Sequence, residues 1–472
     1  MHFHNLYERL PNYTPSFIKE LFKRGYSLLP LKIRWGREFF RQLESLEKSQ
    51  WWSRQELENY QSEKLQSLIK HACENTAYYR RIFRENKLTP GDIKTVKDLS
   101  KVPILTKDIV REHFQEMVAA NVDPNTLVRF STSGTTGKPL TFYSEKRLEF
   151  FNFGPYMWRY FRWAGQRFND LKVIIGSGVL KPNRNGTKQI ISYNPARNQL
   201  IFSSYDINRK NATLFAEALR KYRPKLIETF PASLEALVRF FQEMGIRRPV
   251  QLKAILTNSE VLYPWQRKLI SEYFGCELFD IYALEERVIK AAECEKHTNH
   301  HIFSEYGIVE LVDDNGFPVA EGKQGTIIAT SLNNYGMPFI RYNTKDMGYF
   351  VKENCPCGRG LPLLGLVGGR ERNFVVSKSG SLISVTIVDI PHASDNVQQF
   401  QFIQKEQGRL ELNIVRKNGF SQADSVKIEA KLKEKFSDDM DVKINFVDAV
   451  VKTKSGKQPL LIQRIDDHGT TK

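Results

Sequence analysis

Cysteine is scarce in this chain. Five residues, Cys73, Cys276, Cys294, Cys355 and Cys357, serve 472 positions, too few and too unevenly spaced for a disulfide framework. Long apolar runs are missing as well. No stretch approaches the ~20 apolar residues that span a bilayer, and Met1-His2-Phe3-His4-Asn5 is followed by no apolar core of the kind a secretory leader carries. Internal repeats and low-complexity tracts are absent, which excludes solenoids and tethers. Acidic side chains are the minority, 53 Asp and Glu against 70 Lys and Arg, for a net charge of +17. That excess suits anionic partners such as nucleotides or an anionic membrane surface. No signature of a DNA- or RNA-binding module accompanies it, so no nucleic-acid partner is expected. A cytoplasmic location is expected from the same absences.

What is present describes a folded chain of more than one domain: 41% of the 472 residues are hydrophobic and 12% aromatic. Residues 17–40 mix Phe, Leu, Ile and Trp with Lys19, Lys23, Arg24, Lys32, Arg34 and Arg37. This reads first as a solvated helix packing on its own domain and second as a membrane-surface helix, so at most peripheral membrane contact is expected. Residues 51–120 read as helices, with Trp51, Trp52, Leu57, Tyr60, Leu65, Leu68 and Ile69 at helical spacing. The aromatic stretch from Phe142 to Trp163 reads as a buried helix, mostly core and partly the wall of a pocket.

Short apolar runs then alternate with helical stretches. Residues 171–175, 225–229 and 252–256 each end in a polar or small-residue loop, and the helix after Thr229 is expected to take Ser233 as its cap. Such alternation predicts a parallel sheet with ligands at the carboxyl ends of the strands. From about residue 300 the text is β-rich, and the last hundred residues carry a strand–helix alternation of their own, enough for a small domain.

One loop stands out for chemistry. Ser131-Thr132-Ser133-Gly134-Thr135-Thr136-Gly137-Lys138-Pro139 gathers hydroxyls, two glycines and a lysine after an apolar run. Glycine lets backbone N–H groups turn onto an anion, hydroxyls add donors and lysine adds charge, so the loop suits phosphate. It is not a Walker loop, which needs four residues between the glycines and Ser or Thr after the lysine.

Four further motifs follow it in order: Asp280-Ile281-Tyr282-Ala283-Leu284-Glu285-Glu286, Arg341-Tyr342-Asn343-Thr344-Lys345-Asp346, Gly369-Arg370-Glu371-Arg372-Asn373 and Thr453-Lys454-Ser455-Gly456-Lys457. In this order they resemble the adenylate-forming superfamily of acyl-CoA synthetases. The lead-in text Trp51-Trp52-Ser53, His71 to Arg80 and Val102-Pro103-Ile104-Leu105-Thr106-Lys107 resembles the phenylacetate–CoA ligase, CapK and coenzyme F390 synthetase-like branch. The resemblance implies a carboxylate attacking the α-phosphate of ATP, then displacement of AMP by an acceptor. It also implies the roles. Ser133, Gly134, Thr135, Thr136, Gly137 and Lys138 hold the terminal phosphates; Ser259, Glu260, Tyr282 and Ala283 line the adenine site; Asp346 holds the ribose; Glu286 binds Mg²⁺. Arg370 joins the nucleotide site at the hinge, and Lys457 reaches the reacting centre. Three positions depart from the pattern: Ala283 and Lys345 replace glycines, and Arg372 replaces the usual hinge Asp or Lys.

Cys294, His297, His300, His301, Cys355 and Cys357 form a second constellation, suited to tetrahedral zinc. A similar set in the CapK-like branch selects Cys294, His301, Cys355 and Cys357, with His300 as the main alternative and reduced, metal-free thiols as the competing reading. The metal would be structural, because four protein ligands leave no place for water.

The expectation is an α/β protein. A large N-terminal adenylation domain spans 1–369, with a helical lead-in over 1–120, mixed and parallel sheets, and a β-rich part from about 300 to 369 with the zinc site. A small mobile α+β C-terminal domain spans 370–472 and carries Lys457. Expected partners are a small carboxylic acid, ATP, Mg²⁺ and coenzyme A. An amine or hydroxyl acceptor in surface polysaccharide biosynthesis is the alternative to coenzyme A, and a non-catalytic nucleotide-binding scaffold ranks third. Homodimerisation is compatible with the sequence.

Overall fold

The computed structural model describes residues 16–132, 140–146, 148, 153–176, 189–366, 374–380, 382–385, 393–453, 456–463 and 465. The chain enters through helices α1 (Ser16–Leu28), α2 (Leu31–Ser49), α3 (Arg54–Asn75), α4 (Ala77–Glu85) and the short α5 (Lys107–Glu112). α3 starts on a reciprocal cap: the Ser53 hydroxyl accepts the Glu56 N–H while the Glu56 carboxylate accepts the Ser53 N–H. Its apolar positions Leu57, Leu65, Leu68, Ile69 and Ala72 recur at helical spacing and are all buried.

A two-stranded ribbon follows, β1 (Leu127–Ser131) and β2 (Thr141–Glu145), and then α6 (Phe153–Trp163). The aromatic run expected as one helix is therefore divided. Residues 141–145 bury every second side chain, Phe142 and Ser144, which is the period of a strand. Helical burial begins only in α6, with Tyr156, Trp158, Tyr160, Phe161 and Trp163 inside.

Twelve strands form the main sheet: β3 (Lys172–Gly176), β4 (Ile191–Asn194), β5 (Gln199–Ser203), β6 (Leu226–Thr229), β7 (Ala254–Asn258), β8 (Glu277–Ala283), β9 (Lys290–Glu293), β10 (His300–Ile302), β11 (Gly307–Val312), β12 (Gly325–Ser331), β13 (Tyr342–Phe350) and β14 (Leu363–Leu366). Their order is β11-β12-β13-β14-β10-β9-β8-β7-β6-β3-β5-β4. β5, β3, β6, β7 and β8 run parallel. Parallel neighbours need crossovers, which α7 (Arg209–Tyr222), α8 (Pro231–Glu243) and α9 (Pro264–Phe274) provide. From β8 onward the pairing is antiparallel. The β-rich text is thus the continuation of one sheet rather than a separate layer. α8 begins at Pro231 with Phe230 as its cap residue, so Ser233 lies inside the helix and not at the cap; proline suits a first turn because its missing N–H has no partner there anyway.

Two apolar layers join the lead-in to this sheet. α3 and α4 bury Leu65, Leu68, Tyr78, Tyr79 and Phe83 with Ile308, Ile327, Phe339 and Tyr342 of the antiparallel half. α2 and α6 form an aromatic layer, in which Trp35 lies 5.7 Å from Trp158, and Trp158 stacks 3.9 Å from Phe168. Each fully buried ring or aliphatic side chain contributes about 1.5–3 kcal/mol. Inside the second layer Arg159 pairs with Glu305 at 2.7 Å, both almost wholly buried. Ser49 donates to the same carboxylate, and Arg159 also donates to the Leu46 carbonyl at 3.1 Å. A buried pair holds only when its remaining valences are met, and these bonds meet several of them.

The C-terminal part has its own core. Beyond the ribbon β15 (Phe374–Val376) and β16 (Leu382–Ser384), strands β17 (Val397–Glu406), β18 (Arg409–Arg416), β19 (Asp441–Phe446) and β20 (Leu461–Gln463) form a sheet in the order β19-β18-β17-β20. Helix α10 (Gln422–Phe436) packs Ile428, Leu432 and Phe436 on Phe402, Leu410 and Leu412. The expected boundary at 369/370 falls outside the described residues. Across the seam, Lys452 Nζ donates to the Ser204 carbonyl at 2.8 Å, and Arg239 donates to the Val397 carbonyl at 3.3 Å. No helix among the described residues is long and apolar enough to cross a membrane.

Candidate active site and metal centre

The carboxyl ends of β7 and β8 lie side by side, because Asn258 is registered with Ile281. The Ser259-Glu260 loop therefore emerges next to Tyr282 and Ala283. Ser259 turns the chain with a left-handed φ of 66°, a conformation unfavourable to most side chains. Ala283, in a glycine's place, is exposed at the strand end, so its methyl crowds no protein core.

β13 brings Asp346 to this edge. Its carboxylate accepts the Tyr282 hydroxyl at 2.7 Å, and its own N–H donates to Thr344 Oγ1 at 3.0 Å. Just before it β13 breaks register with β12, and that irregular turn of the strand passes through Lys345, also left-handed at φ 61° and held by a 2.8 Å bond from its N–H to Asn343 Oδ1. Glycine would take that turn without strain. Lysine takes it with the Asn343 side chain as a brace.

Glu286 is buried in the turn after β8. Its carboxylate accepts the Tyr342 hydroxyl at 2.8 Å and lies 3.4 Å from Lys107 Nζ. The lead-in places that lysine: Leu105 donates to the Arg341 carbonyl at 2.9 Å and accepts the Asn343 N–H at 2.8 Å, which sets the start of α5 beside β13. A buried carboxylate with one lysine and one phenol has the donor chemistry for a hard cation or for tethering a cation's phosphate ligands. Lys107 and Tyr342 were not among the expected site residues. Tyr342 stands inside a motif of the superfamily and Lys107 inside the lead-in text of the branch, so the signal existed without a role attached to it.

Glu260 is held by backbone at both carboxyl oxygens. One carboxyl oxygen accepts the Ala232 N–H at 3.2 Å and the other the Gln458 N–H at 2.9 Å. Burial pushes its pKa up to about 7, against the two N–H groups and Lys457, which pull it down. Lys457 Nζ sits 5.7 Å from the centre of the Phe230 ring. Gly456 has φ 75°, and a Cβ there would come within 2.5 Å of Ser204 Oγ, so a side chain at 456 would force the seam apart. Ser133, Gly134, Thr135, Thr136, Gly137, Lys138 and Arg370 lie outside the described residues.

The metal constellation is brought together. Ligand atoms of Cys294, His301, Cys355 and Cys357 all lie within 4.8 Å of one another. Cys294 Sγ is 3.6 Å from Cys355 Sγ, and Cys357 Sγ is 3.4 Å from His301 Nε2. Four donors around tetrahedral zinc at standard bond lengths stand about 3.5–3.8 Å apart, so the donor set fits zinc. His301 Nδ1 bonds to the Leu361 carbonyl at 3.2 Å, which orients the ring and turns Nε2 inward. Burial holds the imidazole pKa down to about 4, leaving the neutral, ligating form. His300 faces away, 3.0 Å from Asp280, and His297 pairs with Glu293 at 3.3 Å. The knuckle clips the end of β9 and β10 to the β13–β14 connection. It also touches the lead-in: Arg359 donates to Gln50 Oε1 at 2.9 Å, and the Gly360 N–H to the Gln50 carbonyl at 3.0 Å.

Residues 375–464 match the CapK C-terminal domain family. The chain is 25% identical over 374 residues to a phenylacetate–coenzyme A ligase from Thermus thermophilus, covering 76% of this chain and 80% of that one. It is 22% identical to the protein CapK of Staphylococcus aureus over 96% of this chain and 98% of the other. Among solved structures, a 2-hydroxyisobutyryl-CoA ligase in its post-adenylation state superposes with a TM-score of 0.70 at 18% identity, over 88% of this chain and 90% of that one. The same ligase in its thioesterification state gives 0.56 at similar coverage. The fold is therefore that of these ligases.

Proposed function

We propose that this chain, similar along its length to phenylacetate–CoA ligases and to CapK, is an ATP-dependent, AMP-forming carboxylate ligase that transfers the acyl group to coenzyme A. The observation that carries the reading is the meeting of Tyr282, Asp346 and Glu286 at one edge of the sheet, with Lys457 delivered to the neighbouring loop by the C-terminal part. The chemical obstacle is charge, since a carboxylate must approach a phosphate bearing negative oxygens. In this reading Asp346, oriented by the Tyr282 hydroxyl, receives the ribose. Tyr282 lies against the adenine, the Ser133–Lys138 loop holds the departing pyrophosphate, and Lys457 neutralises the reacting oxygens. Glu286, held by Tyr342 and Lys107, would hold Mg²⁺, which supplies charge neutralisation on the phosphates. Cys294, His301, Cys355 and Cys357 would hold a structural zinc.

A second reading has a specific support in the match of residues 375–464 to the CapK C-terminal domain. Here the adenylated acid passes to an amine or hydroxyl in surface polysaccharide assembly. The enzyme would work in the cytoplasm with at most peripheral membrane contact, and α1–α2 is the candidate surface, exposing Leu21, Phe22, Leu28, Leu29 and Ile33 near Arg24, Lys32 and Arg37. Pyrophosphate exchange over a panel of carboxylic acids, followed by AMP release with and without coenzyme A, tests both. AMP release that requires coenzyme A supports the first reading. Release indifferent to coenzyme A but raised by an amine or sugar supports the second. Absence of exchange with every acid rejects both.

A further inference from the structure

The seam between the two parts contains a carboxyl group that binds both of them through backbone. Glu260 leaves the end of β7, accepts the Ala232 N–H in the first turn of α8 at 3.2 Å, and accepts the Gln458 N–H of the C-terminal part at 2.9 Å. Gln458 directly follows Lys457, and its side-chain oxygen accepts Gln399 Nε2 of β17 at 2.7 Å. Thr453 and Lys457 are tied to each other: the Thr453 N–H donates to the Lys457 carbonyl at 2.9 Å, and the Lys457 N–H to Thr453 Oγ1 at 3.1 Å. Fixing Gln458 therefore fixes the base of the Lys457 side chain.

We propose that Glu260 is a positioning residue that docks the C-terminal domain for adenylation by holding Gln458, and so aims Lys457, and that it must let go before the second half-reaction. The proposal rests on the ligase reading above. Three facts support it. Two N–H donors converge on one carboxyl, a geometry that an amide cannot satisfy because one donor would then face an NH₂ group. The start of α8 adds its partial positive charge to the same spot. Among the described residues, the other charged groups acting on Glu260 are Lys457, which favours its ionised form, and Glu235, which opposes it; Glu235 is itself engaged by Arg239 at 3.0 Å and by Gln266 at 2.7 Å. The bonds to Ala232 and Gln458 also separate this role from that of a residue lining the adenine.

The test uses the full chain with Glu260→Gln and Glu260→Ala, read in two ways. Amide hydrogen exchange in substrate-free protein should show protection at Gln458 falling about tenfold or more in both variants, while the amides of β18 keep theirs and report an intact fold. Pyrophosphate exchange should lose about tenfold in kcat with little change in the KM for ATP, while thioester formation from supplied acyl-adenylate stays at the wild-type rate. Unchanged protection at Gln458 overturns the proposal. So does a raised KM for ATP at constant kcat, which marks an adenine contact, or an equal loss in both half-reactions, which marks a structural role. Wild-type protein that exchanges pyrophosphate with no acid would sink the ligase reading instead, and amide exchange would still decide the docking.

Discussion

Single residues here carry constraints that neighbours in sequence do not reveal. Glu286 is buried with Lys107 3.4 Å away and Tyr342 at 2.8 Å, and a buried carboxylate stripped of its cation is costly. Lys107→Ala is expected to lower stability by about 1–3 kcal/mol, since Tyr342 remains as a partner; urea unfolding measures it, and an unchanged midpoint would show that water replaces the lysine. Lys345 makes the opposite case. Its left-handed φ disfavours a side chain, so Lys345→Gly should be neutral to stabilising by up to about 1 kcal/mol, the relief of strain exceeding glycine's entropy cost. A clear fall in melting temperature would contradict that. The candidate residues Glu286, Tyr282, Asp346 and Lys457 were legible because each sits in a motif. Lys107 had a motif and no evident task, and the docking bond of Glu260 had no signal at all, because it joins positions 198 residues apart through a backbone N–H.

At the scale of elements, the Cys294, His301, Cys355 and Cys357 cluster joins two hairpin connections of one sheet, and its loop leans on the end of α2 through Gln50. A Cβ on Gly360 would strike the Trp52 carbonyl, so the loop and the lead-in are fitted to one another without a gap. Purified protein should contain about one zinc per chain, and its removal by chelation should lower the melting temperature by several degrees without dissociating the C-terminal core. Retention of full stability after verified metal loss would leave the four side chains as a packed thiol cluster. The strand and helix alternation of 171–283 was readable from its periods of apolar residues. The division of the aromatic run into β2 and α6 was not, since five residues of alternation hide inside a longer apolar stretch. The continuity of the twelve-stranded sheet was likewise hidden, because strand order is set by long-range pairing that no local pattern encodes.

At the scale of the whole molecule, the two parts meet at a seam that holds a group of shifted pKa, Glu260. Burial raises Glu260 from 4.5 to about 7; in the released form that the docking proposal requires, the same carboxyl would meet water. Between those two values the docked form binds a proton that the open form has released, so docking is strongest at low pH and weakens as pH rises through 7. Small-angle scattering should find more of the docked form at pH 5.5 than at pH 8, a difference that Glu260→Gln abolishes. A docked fraction that rises with pH would reverse the assignment.

The contact at Glu260 joins main-chain atoms on both sides, the N–H groups of Ala232 and Gln458. The Glu260 bonds therefore do not depend on the side chains at 232 and 458, whereas they do depend on the carboxyl group at 260. On the docking proposal, substitutions elsewhere in the site leave the coupling between the two parts intact as long as Glu260 and Gly456 are kept.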